Sequence, residues 1–356
     1  MASKDIHRAN KAYETWLRAE LHGDIIEDDL AAKHKKMSAD PFSFLRATYW
    51  RWAETILTVC PDLADAPTAP AVGDIHLENF GTWRDDDGRL IWGVNDYDEA
   101  AEMPYVLDLV RLATSARLAP TRRHNTRNIC TAILEGYRAG LAQPRPIVLD
   151  EEHRWLRDLL VVPELARIHF WAKLDLMKPA KRPPAKRYRE ALQGAMPEPD
   201  IEVTFRPRKA GTGSLGRPRW VGIAGWRGGR VVREAKALVP SGWVRATGGN
   251  SRALHCKAIA FGAFRAPDPW YDVVSTIGVR RLSPNSRKIE VADMPLLRAR
   301  MLQAMGHELA SIHLGTGDRH RAIAEDLARR KRRWLRDTTD AAAVFVEKEY
   351  RAWRKG

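Results

Sequence analysis

At 356 residues, with 44% hydrophobic and 29% charged side chains, the chain has the composition of a globular protein that could hold two lobes or domains. No apolar run approaches the ~18 residues of a membrane span, the N-terminus lacks the apolar core of a signal peptide, and the three cysteines are scattered. These features predict a cytoplasmic protein with no membrane association, and the net charge of +14 favours anionic partners.

Residues 1–70 are predicted to be N-terminal helices that pack on a larger helical lobe. Apolar residues such as Trp16 recur at helical spacing, and Pro41 begins a second helix that runs through Trp52. A loop rich in proline, alanine and aspartate follows at residues 61–70.

Residues 71–200 are predicted to form a helical catalytic lobe that opens with a polar motif. Asp74 precedes Asn79 by five residues on a loop, and Asp96 follows a short hydrophobic strand. This order is typical of phosphoryl-transfer sites, in which the first Asp accepts a hydroxyl proton while the Asn and the later Asp hold Mg²⁺. Amide and carboxylate oxygens suit this hard cation. His76 is grouped with the catalytic residues, although we expect it to brace the loop by hydrogen bonding rather than to act as the base.

Hydrophobic spacing and turn residues predict the rest of this lobe. Two short strands at residues 81–83 and 90–94 are joined by a turn, and Pro104 starts a helix at its favoured first-turn position. Further helices are predicted over residues 126–142, 150–174 and 183–195.

Glycine and β-branched residues become frequent after residue 200. Residues 201–285 are predicted to form a small antiparallel sheet lobe that binds nucleotide. Within it we expect a tight turn at residues 227–229 and further strands near 254–264 and 273–282.

Residues 286–356 are predicted to be C-terminal helices that complete the helical lobe. An apolar stripe runs from Leu297 to His313. A basic run at residues 329–333 is either a solvated helix face or a contact for nucleic acid, although no nucleic-acid-binding module is recognisable.

A glycine-rich pattern in the sheet region is typical of phosphate-binding turns. Gly211, Gly213, Ser214 and Gly216 follow the pattern Gly-x-Gly-x-x-Gly, which lets backbone N–H groups approach phosphates. Lys236 lies on a strand farther along, where a kinase places the lysine that contacts the α- and β-phosphates.

Two other chemistries have weaker support. Asp-x-His also begins the two-metal pattern of metallophosphoesterases, but the further His and Asp clusters that such a site needs are not convincing. Acyl transfer has no support, because there is no Gly-x-Ser-x-Gly elbow and no cysteine beside a plausible catalytic partner.

Taken together, the motifs resemble those of the bacterial domain-of-unknown-function family 2252. That family is similar to the protein-kinase-like superfamily and nearest to aminoglycoside and choline phosphotransferases. The motifs that carry the resemblance cover most of the chain: Lys36-Met37, residues 41–46, 73–81, 95–99, 108–113 and 211–216, Lys236, and residues 279–282.

The resemblance implies a two-lobe, protein-kinase-like fold of the α+β class. Asp74, His76 and Asn79 match the Gly-Asp-x-His-x-x-Asn loop of the superfamily, Asp96 matches its metal-binding Asp, and Asp108 matches a structural Asp at the start of the next helix. It also implies a circularly permuted lobe order. The catalytic loop and metal strand come first, the glycine-rich sheet follows, and the helix that normally leads into the catalytic loop comes near the end.

We therefore expect an ATP- and Mg²⁺-dependent phosphotransferase that acts on a small hydroxylated molecule. The glycine-rich turn, Lys236 and Arg280 would contact the nucleotide, whose adenine would lie against the strand at residues 279–282. One alternative is an inactive kinase-like nucleotide-binding protein, because no Glu lies between Lys236 and Glu290 to pair with the strand lysine. Another is a basic protein associated with nucleic acid, whose affinity would fall steeply with salt.

Overall fold

The computed structural model describes residues 5–120, 125–180, 182–249, 252–288, 290 and 298–356. Within these residues, fourteen α-helices and ten short β-strands form an α+β fold, as the sequence predicted. The helices are α1 (Ile6–Glu20), α2 (Glu27–Met37), α3 (Pro41–Ala47), α4 (Tyr49–Val59), α5 (Val106–Leu118), α6 (Thr126–Ala142), α7 (Arg154–Leu160), α8 (Glu164–Asp175), α9 (Lys186–Gly194), α10 (Gly242–Ala246), α11 (Cys256–Ala260), α12 (Ala299–His313), α13 (His320–Arg329) and α14 (Trp334–Trp353). The strands are β1 (Thr68–Ala71), β2 (Phe80–Arg84), β3 (Leu90–Val94), β4 (Ala101–Pro104), β5 (Ile147–Val148), β6 (Thr204–Pro207), β7 (Arg219–Trp226), β8 (Gly229–Ala237), β9 (Asp272–Val274) and β10 (Ile277–Leu282).

The largest sheet is antiparallel and has the strand order β6-β7-β8-β10-β9. It confirms the small antiparallel sheet that the sequence predicted after residue 200. Strands β7 and β8 are joined by a tight turn in which Arg227 and Gly228 have positive φ angles of 44° and 82°. The glycine-rich segment connects β6 to β7, so it lies at one end of the first hairpin.

One predicted strand in this region is wrong. Residues 254–264 contain helix α11 rather than a strand. Its buried residues Cys256, Ile259 and Ala260 follow the i, i+3, i+4 spacing of a helix, and Ile259 is the one β-branched residue of the segment.

Two smaller sheets lie in the first half of the chain. Strands β2 and β3 pair antiparallel, and Gly88 in the turn between them has a φ of 74°, which confirms the predicted pair. The second sheet pairs β1 with β4. Pro104 is therefore the last residue of a strand rather than the first residue of a helix, and α5 begins at Val106.

Two predicted helices are each divided in the structure. The helix from Pro41 breaks at Thr48, whose hydroxyl donates to the carbonyl of Phe44 at 2.6 Å, so α3 and α4 are separate. The helix predicted over residues 150–174 breaks at Pro163, because proline lacks the N–H needed to continue α7. In contrast, α6 covers the predicted residues 126–142.

The core joins helices from both ends of the chain, from Ile6 to Tyr350. Helices α6 and α12 pack so closely that a Cβ at Gly136 or Gly306 would collide with the backbone of the opposite helix. Helix α12 contains most of the predicted apolar stripe, while Leu297 lies outside the described residues. None of the helices that the structure describes is long and apolar enough to cross a membrane.

Candidate functional site

A pocket of about 50 Å³ lies where the glycine-rich segment meets the loops that follow β1 and β3. We call it the inner pocket. It brings together residues of the first hundred positions with residues beyond position 200. Its lining consists of Arg46, Asp74, His76, Asn79, Asp96, Asp98, Glu99, Gly211, Thr212, Gly213, Ser214, Arg217 and Lys288.

Asp108 fixes the backbone of the loop that carries Asp74. Its carboxylate accepts hydrogen bonds from the backbone N–H groups of Val72 at 2.7 Å and Gly73 at 2.9 Å. Gly73 has a φ of 77°, and a Cβ there would lie 2.6 Å from the hydroxyl of Tyr49, so only glycine fits. Oδ2 of Asp108, which accepts from Val72, also lies 3.2 Å from Nε2 of His313, the last residue of α12. Helices α5 and α12 therefore hold this loop in place.

Asp74 forms an ion pair with Arg111, which sequence reasoning missed. The distance from Nη2 of Arg111 to Oδ1 of Asp74 is 2.5 Å, and the Arg111 side chain is fully buried. Burial raises the pKa of Asp74, and the guanidinium of Arg111 only partly offsets this effect. A carboxylate with a raised pKa is a stronger proton acceptor than an ordinary one. Two sequence signals were available: Arg111 lies in the motif at residues 108–113, and it follows Asp108 by three residues, on the same face of α5.

Asn79 links the two loops that carry the carboxylates. Its Nδ2 donates to the backbone carbonyl of Asp74 at 3.2 Å and to that of Asp96 at 3.1 Å. With the amide in this orientation, Oδ1 of Asn79 is buried and has no hydrogen-bond partner among the residues that the structure describes. A buried acceptor of this kind requires a ligand or water.

Asn79 and Asp96 are the two predicted metal ligands, and both line the inner pocket. The free Oδ1 of Asn79 and the carboxylate of Asp96 provide the oxygen donors that Mg²⁺ prefers, so this pair fits that ion. No group of three His, Cys, Asp or Glu side chains within the described ranges could hold a metal. The pair therefore suits Mg²⁺ that keeps waters and phosphate oxygens as its other ligands, rather than a metal held by protein alone.

Lys236 extends from β8 into the same group of carboxylates. Its Nζ lies 3.0 Å from Oδ1 of Asp96 and 2.5 Å from Oδ1 of Asp98. Burial opposes ionisation of Asp96, but Lys236 and Arg280 outweigh it and hold its pKa well below the usual value. Burial and the neighbouring Asp96 charge raise the pKa of Asp98 to about 6. Among the described residues, Lys236 has no helix Glu of the kind that pairs with the strand lysine of a kinase, but it has two carboxylate partners from the loop after β3. One of them, Asp98, was not among the predicted site residues.

Arg280 belongs to a second buried cluster beside Lys236. Oε1 of Glu234 accepts from Nη1 of Arg219 and from Nε of Arg280, each at 2.8 Å, and Arg208 also pairs with this carboxylate. Burial opposes ionisation of Glu234, but the three guanidinium groups hold its pKa well below the usual value. With one carboxylate among three arginines, this cluster has a net positive charge.

The glycine-rich segment lies directly over Asp74. A Cβ at Gly213 would be 2.9 Å from Oδ2 of Asp74 and 3.1 Å from the carbonyl oxygen of Arg46. Nζ of Lys33 donates to the carbonyl of Gly213 at 3.0 Å, and the carbonyl of Gly216 accepts from the backbone N–H of Ile26 at 2.9 Å. The start of α2 therefore anchors the segment over the inner pocket.

The remaining predicted residues of this segment differ in their surroundings. Gly211 and Gly216 have positive φ angles of 76° and 95°, which glycine adopts without strain. The hydroxyl of Ser214 accepts from Nη2 of Arg219 at 2.8 Å. Gly216 is absent from the lining of the inner pocket and packs against Leu30 instead.

His76 is buried in the wall of the inner pocket. Its Nδ1 accepts from the backbone N–H of Glu78 at 3.2 Å. Burial and the nearby Arg46 hold the pKa of His76 well below its usual value, so the ring is neutral at pH 7. A neutral ring with this contact can orient the loop.

An adjoining cavity of about 260 Å³ extends from β2 to β10, and we call it the outer cavity. Its lining includes the aromatic rings of Trp83, Tyr97 and Tyr271. From the predicted adenine strand, Arg280, Arg281 and Leu282 line this cavity, whereas Val279 lines a different cavity elsewhere on the molecule.

Lys288 lines both cavities and was also missed by sequence reasoning. The backbone places it beside the catalytic motif: it forms an antiparallel bridge with Gly81, and Thr82 exchanges two hydrogen bonds with Arg287. The Lys288 side chain is exposed and has no ion-pair partner among the residues that the structure describes. Desolvation of the ammonium group by the surrounding protein lowers its pKa to about 8. The charge of Asp96 opposes this shift, and the cation of Arg46 adds to it.

Unsatisfied buried polar atoms are concentrated around this site. Within the described ranges, the atoms without a hydrogen-bond partner include Arg46 Nε, Asn79 Oδ1, Asn95 Oδ1, Asp98 Oδ2, Nε and Nη1 of Arg111, and Nε and Nη1 of Arg217. Buried polar groups in native proteins are usually hydrogen-bonded, so a cluster of exceptions marks a place where a ligand or water belongs.

The fold and the site define an α+β protein with a polar cleft between an antiparallel sheet and a helical body. The chain belongs to the bacterial family described as "Uncharacterized protein conserved in bacteria (DUF2252)", whose model matches residues 25–202. This match includes Asp74, Asn79 and Asp96 but ends before the glycine-rich segment and Lys236. No curated protein and no solved structure matches the chain.

Proposed function

We propose that this protein is an ATP- and Mg²⁺-dependent phosphotransferase that acts on a hydroxyl group of a small molecule. One observation carries the proposal. Asp74, Asn79 and Asp96 share the inner pocket with Gly211 and Gly213, although the two groups are more than a hundred residues apart in sequence. The first group has the spacing of a phosphoryl-transfer motif and the second belongs to a phosphate-binding pattern, and a common pocket is what that function requires.

In the proposed reaction, the acceptor oxygen attacks the γ-phosphorus of ATP. The bond from the γ-phosphorus to the bridging oxygen of the β-phosphate breaks, ADP leaves with that electron pair, and the acceptor proton passes to Oδ2 of Asp74. Arg111 holds Oδ1 of Asp74 and so leaves Oδ2 for the acceptor. Because burial raises the pKa of Asp74, the proposed base matches its task better than an exposed aspartate would.

Asn79 and Asp96 would hold Mg²⁺, through the free Oδ1 of Asn79 and the carboxylate of Asp96. When bound, the ion would neutralise charge on the phosphate oxygens. Lys236 would keep Asp96 ionised and in position, since their side chains are 3.0 Å apart. We assign Lys236 to this positioning role because two carboxylates already compensate its charge.

Lys288 is the better candidate for direct phosphate contact. It is exposed, lines both cavities and has no ion-pair partner among the described residues. A triphosphate that extends from the outer cavity toward Asp74 would pass Lys288 and Arg280. In this arrangement adenine occupies the aromatic outer cavity, where Trp83 and Tyr271 offer apolar surface.

The inner pocket must enlarge before a γ-phosphate can enter. Its volume is about 50 Å³, and Gly213 lies against Asp74. We propose that the glycine-rich segment lifts from Asp74 on binding and closes over the phosphates. The contacts that would release are the Lys33–Gly213 hydrogen bond and the packing of Gly216 on Leu30.

We further propose that the fold is protein-kinase-like with a permuted lobe order. The glycine-rich segment joins the first two strands of the sheet, and Lys236 lies on the third, β8. The catalytic motif precedes this sheet in sequence, and helix α12, which packs under Asp108 through His313, follows it. These connections support a cleft of the kinase type whose parts occur in a different order along the chain.

The test is the transfer or hydrolysis of the γ-phosphate of isotopically labelled ATP. Wild-type protein with ATP and Mg²⁺ should release or transfer label, and Asp74→Asn should lower the rate by ~10²–10⁴-fold. Circular dichroism would show that the variant is folded. If wild-type protein binds ATP but never cleaves it, the chain is instead a nucleotide-binding protein. If Asp74→Asn is fully active, Asp74 is not the base.

A further inference from the structure

A separate basic groove lies between α6 and the segment that joins α13 to α14. Its volume is about 560 Å³, and none of its lining residues is shared with the inner pocket or the outer cavity. The side chains that define it here are Arg127 and Arg138 on one wall and Lys331 and Arg332 on the other.

The α6 wall presents two cations along one helical face. Arg127 and Arg138 are eleven residues apart, which is close to three helical turns, so both point to the same side of α6. The separation along the helix axis is ~16.5 Å at 1.5 Å per residue. Thr131 and Leu134 lie between them on the same face and also line the groove. The groove is therefore elongated rather than shaped for a single small anion.

The opposite wall is built by the break between α13 and α14. Arg330 leaves the helical conformation with a ψ of 142°, pairs with Asp326, and stacks over the ring of Trp334 at 5.0 Å. This fixes the start of the link, while the next residues, Lys331 and Arg332, are exposed and have no ion-pair partner among the residues described.

The charge of this groove is balanced only in part. Arg330, Arg333 and Arg336 pair with neighbouring aspartates, whereas four other lining cations form no ion pair among the described residues: Arg127, Arg138, Lys331 and Arg332. Glu135 is the one carboxylate among its lining residues, and it accepts a hydrogen bond from Gln303. The indole Nε1 of Trp334, which also lines the groove, is buried and has no hydrogen-bond acceptor in the part of the chain that the structure describes. Unpaired cations along an extended groove create a field that attracts polyanions.

We propose that this groove binds the phosphate backbone of a nucleic-acid strand. The cations line a length of ~16.5 Å, so a chain of several successive phosphates fits the groove better than a single small anion. The groove offers cations and no exposed aromatic platform, so recognition is by charge and independent of base sequence. This site is separate from the proposed phosphotransfer cleft and does not depend on that function.

The test measures fluorescence anisotropy of a labelled single-stranded oligonucleotide over a range of salt. Four phosphate contacts predict a slope of log K against log salt of roughly −2.8, so affinity should fall ~50-fold between about 50 mM and about 200 mM salt. A groove variant, with Arg127→Gln, Arg138→Gln, Lys331→Gln and Arg332→Gln, should lose nearly all of this binding and its salt dependence.

A control variant separates the groove from the net charge of the protein. Lys11→Gln, Lys173→Gln, Lys178→Gln and Lys348→Gln remove the same charge from exposed positions outside the groove. This variant should keep wild-type affinity within about 2-fold, since its phosphate contacts are unchanged. Equal losses in both variants would overturn the proposal, because binding would then follow net charge alone. Binding of anionic phosphatidylserine vesicles without binding of the oligonucleotide would also overturn it.

Discussion

The inner pocket and the basic groove are both rich in cations, but they differ in how the charge is balanced. Around the inner pocket, Lys236 contacts two of the lining carboxylates and Arg111 contacts Asp74, all within a largely buried cluster. In the groove Lys331 and Arg332 are exposed to solvent, and neither forms an ion pair in the part of the chain that the structure describes.

This difference separates two uses of positive charge. Paired charges in a buried site fix geometry, because removal of one partner leaves the other desolvated and uncompensated. Unpaired surface charges contribute little to folding but attract anions over a distance that salt controls. Substitutions in the inner pocket should therefore change stability or chemistry, while those in the groove should change only binding.

The largest effect should come from Gly213→Val. Its side chain would enter the space between the glycine-rich segment and Asp74, where a Cβ alone would lie 2.9 Å from Oδ2. Displacement of reacting groups by about 1 Å can cost on the order of 100-fold in rate, and we expect at least that loss of γ-phosphate turnover. Gly225→Val in β7 is the control, because nothing lies within 4 Å of a Cβ there. Full turnover by Gly213→Val would place the reacting groups elsewhere.

The second effect concerns stability and contrasts Lys236 with Lys331. Lys236→Met leaves Asp96 and Asp98 without their shared cation, so the free energy of unfolding should fall by about 1–3 kcal/mol. Lys331→Met should change it by no more than about 0.5 kcal/mol, since that side chain is exposed. Urea unfolding of both variants measures the difference. Equal stabilities would show that the pairs around Lys236 do not contribute to the fold.

The smallest effect concerns Lys288, which lies in the cleft but is unpaired like the groove residues. Its pKa is lowered to about 8, so the charged form that binds phosphate prevails below that pH and is lost above it. ATP affinity should therefore be roughly tenfold weaker near pH 9 than near pH 7. Lys288→Arg should bind ATP with little change over this range, because arginine stays protonated. Calorimetric titration at both pH values measures this, and an identical pH dependence in both proteins would remove Lys288 from phosphate binding.

The sequence predicted the elements whose signals are local. Regular hydrophobic spacing revealed α6, and the glycines at 228 and 229 marked the turn between β7 and β8. Errors occurred where a short segment carried mixed signals. Pro104 suits a helix start as well as a strand end, and pairing of β4 with β1 decided between them.

The site was predicted in part because phosphoryl-transfer motifs have characteristic spacing. Asp74, Asn79 and Asp96 lie within 23 residues of one another and share the inner pocket. No characteristic spacing assigned a role in the site to Arg111, Asp98 or Lys288. Their roles depend on contacts between distant segments, such as the bridge between Lys288 and Gly81, which no pattern in the sequence encodes.

The most direct test of the central proposal is thermal unfolding of the wild-type protein with ATP and Mg²⁺. A ligand at about 100 times its dissociation constant should stabilise the protein by about 2.7 kcal/mol. The groove variant should show the same increase, because its substitutions lie outside the cleft. No stabilisation of the wild-type protein, or a stabilisation that disappears in the groove variant, would contradict the assignment of the cleft as a nucleotide site.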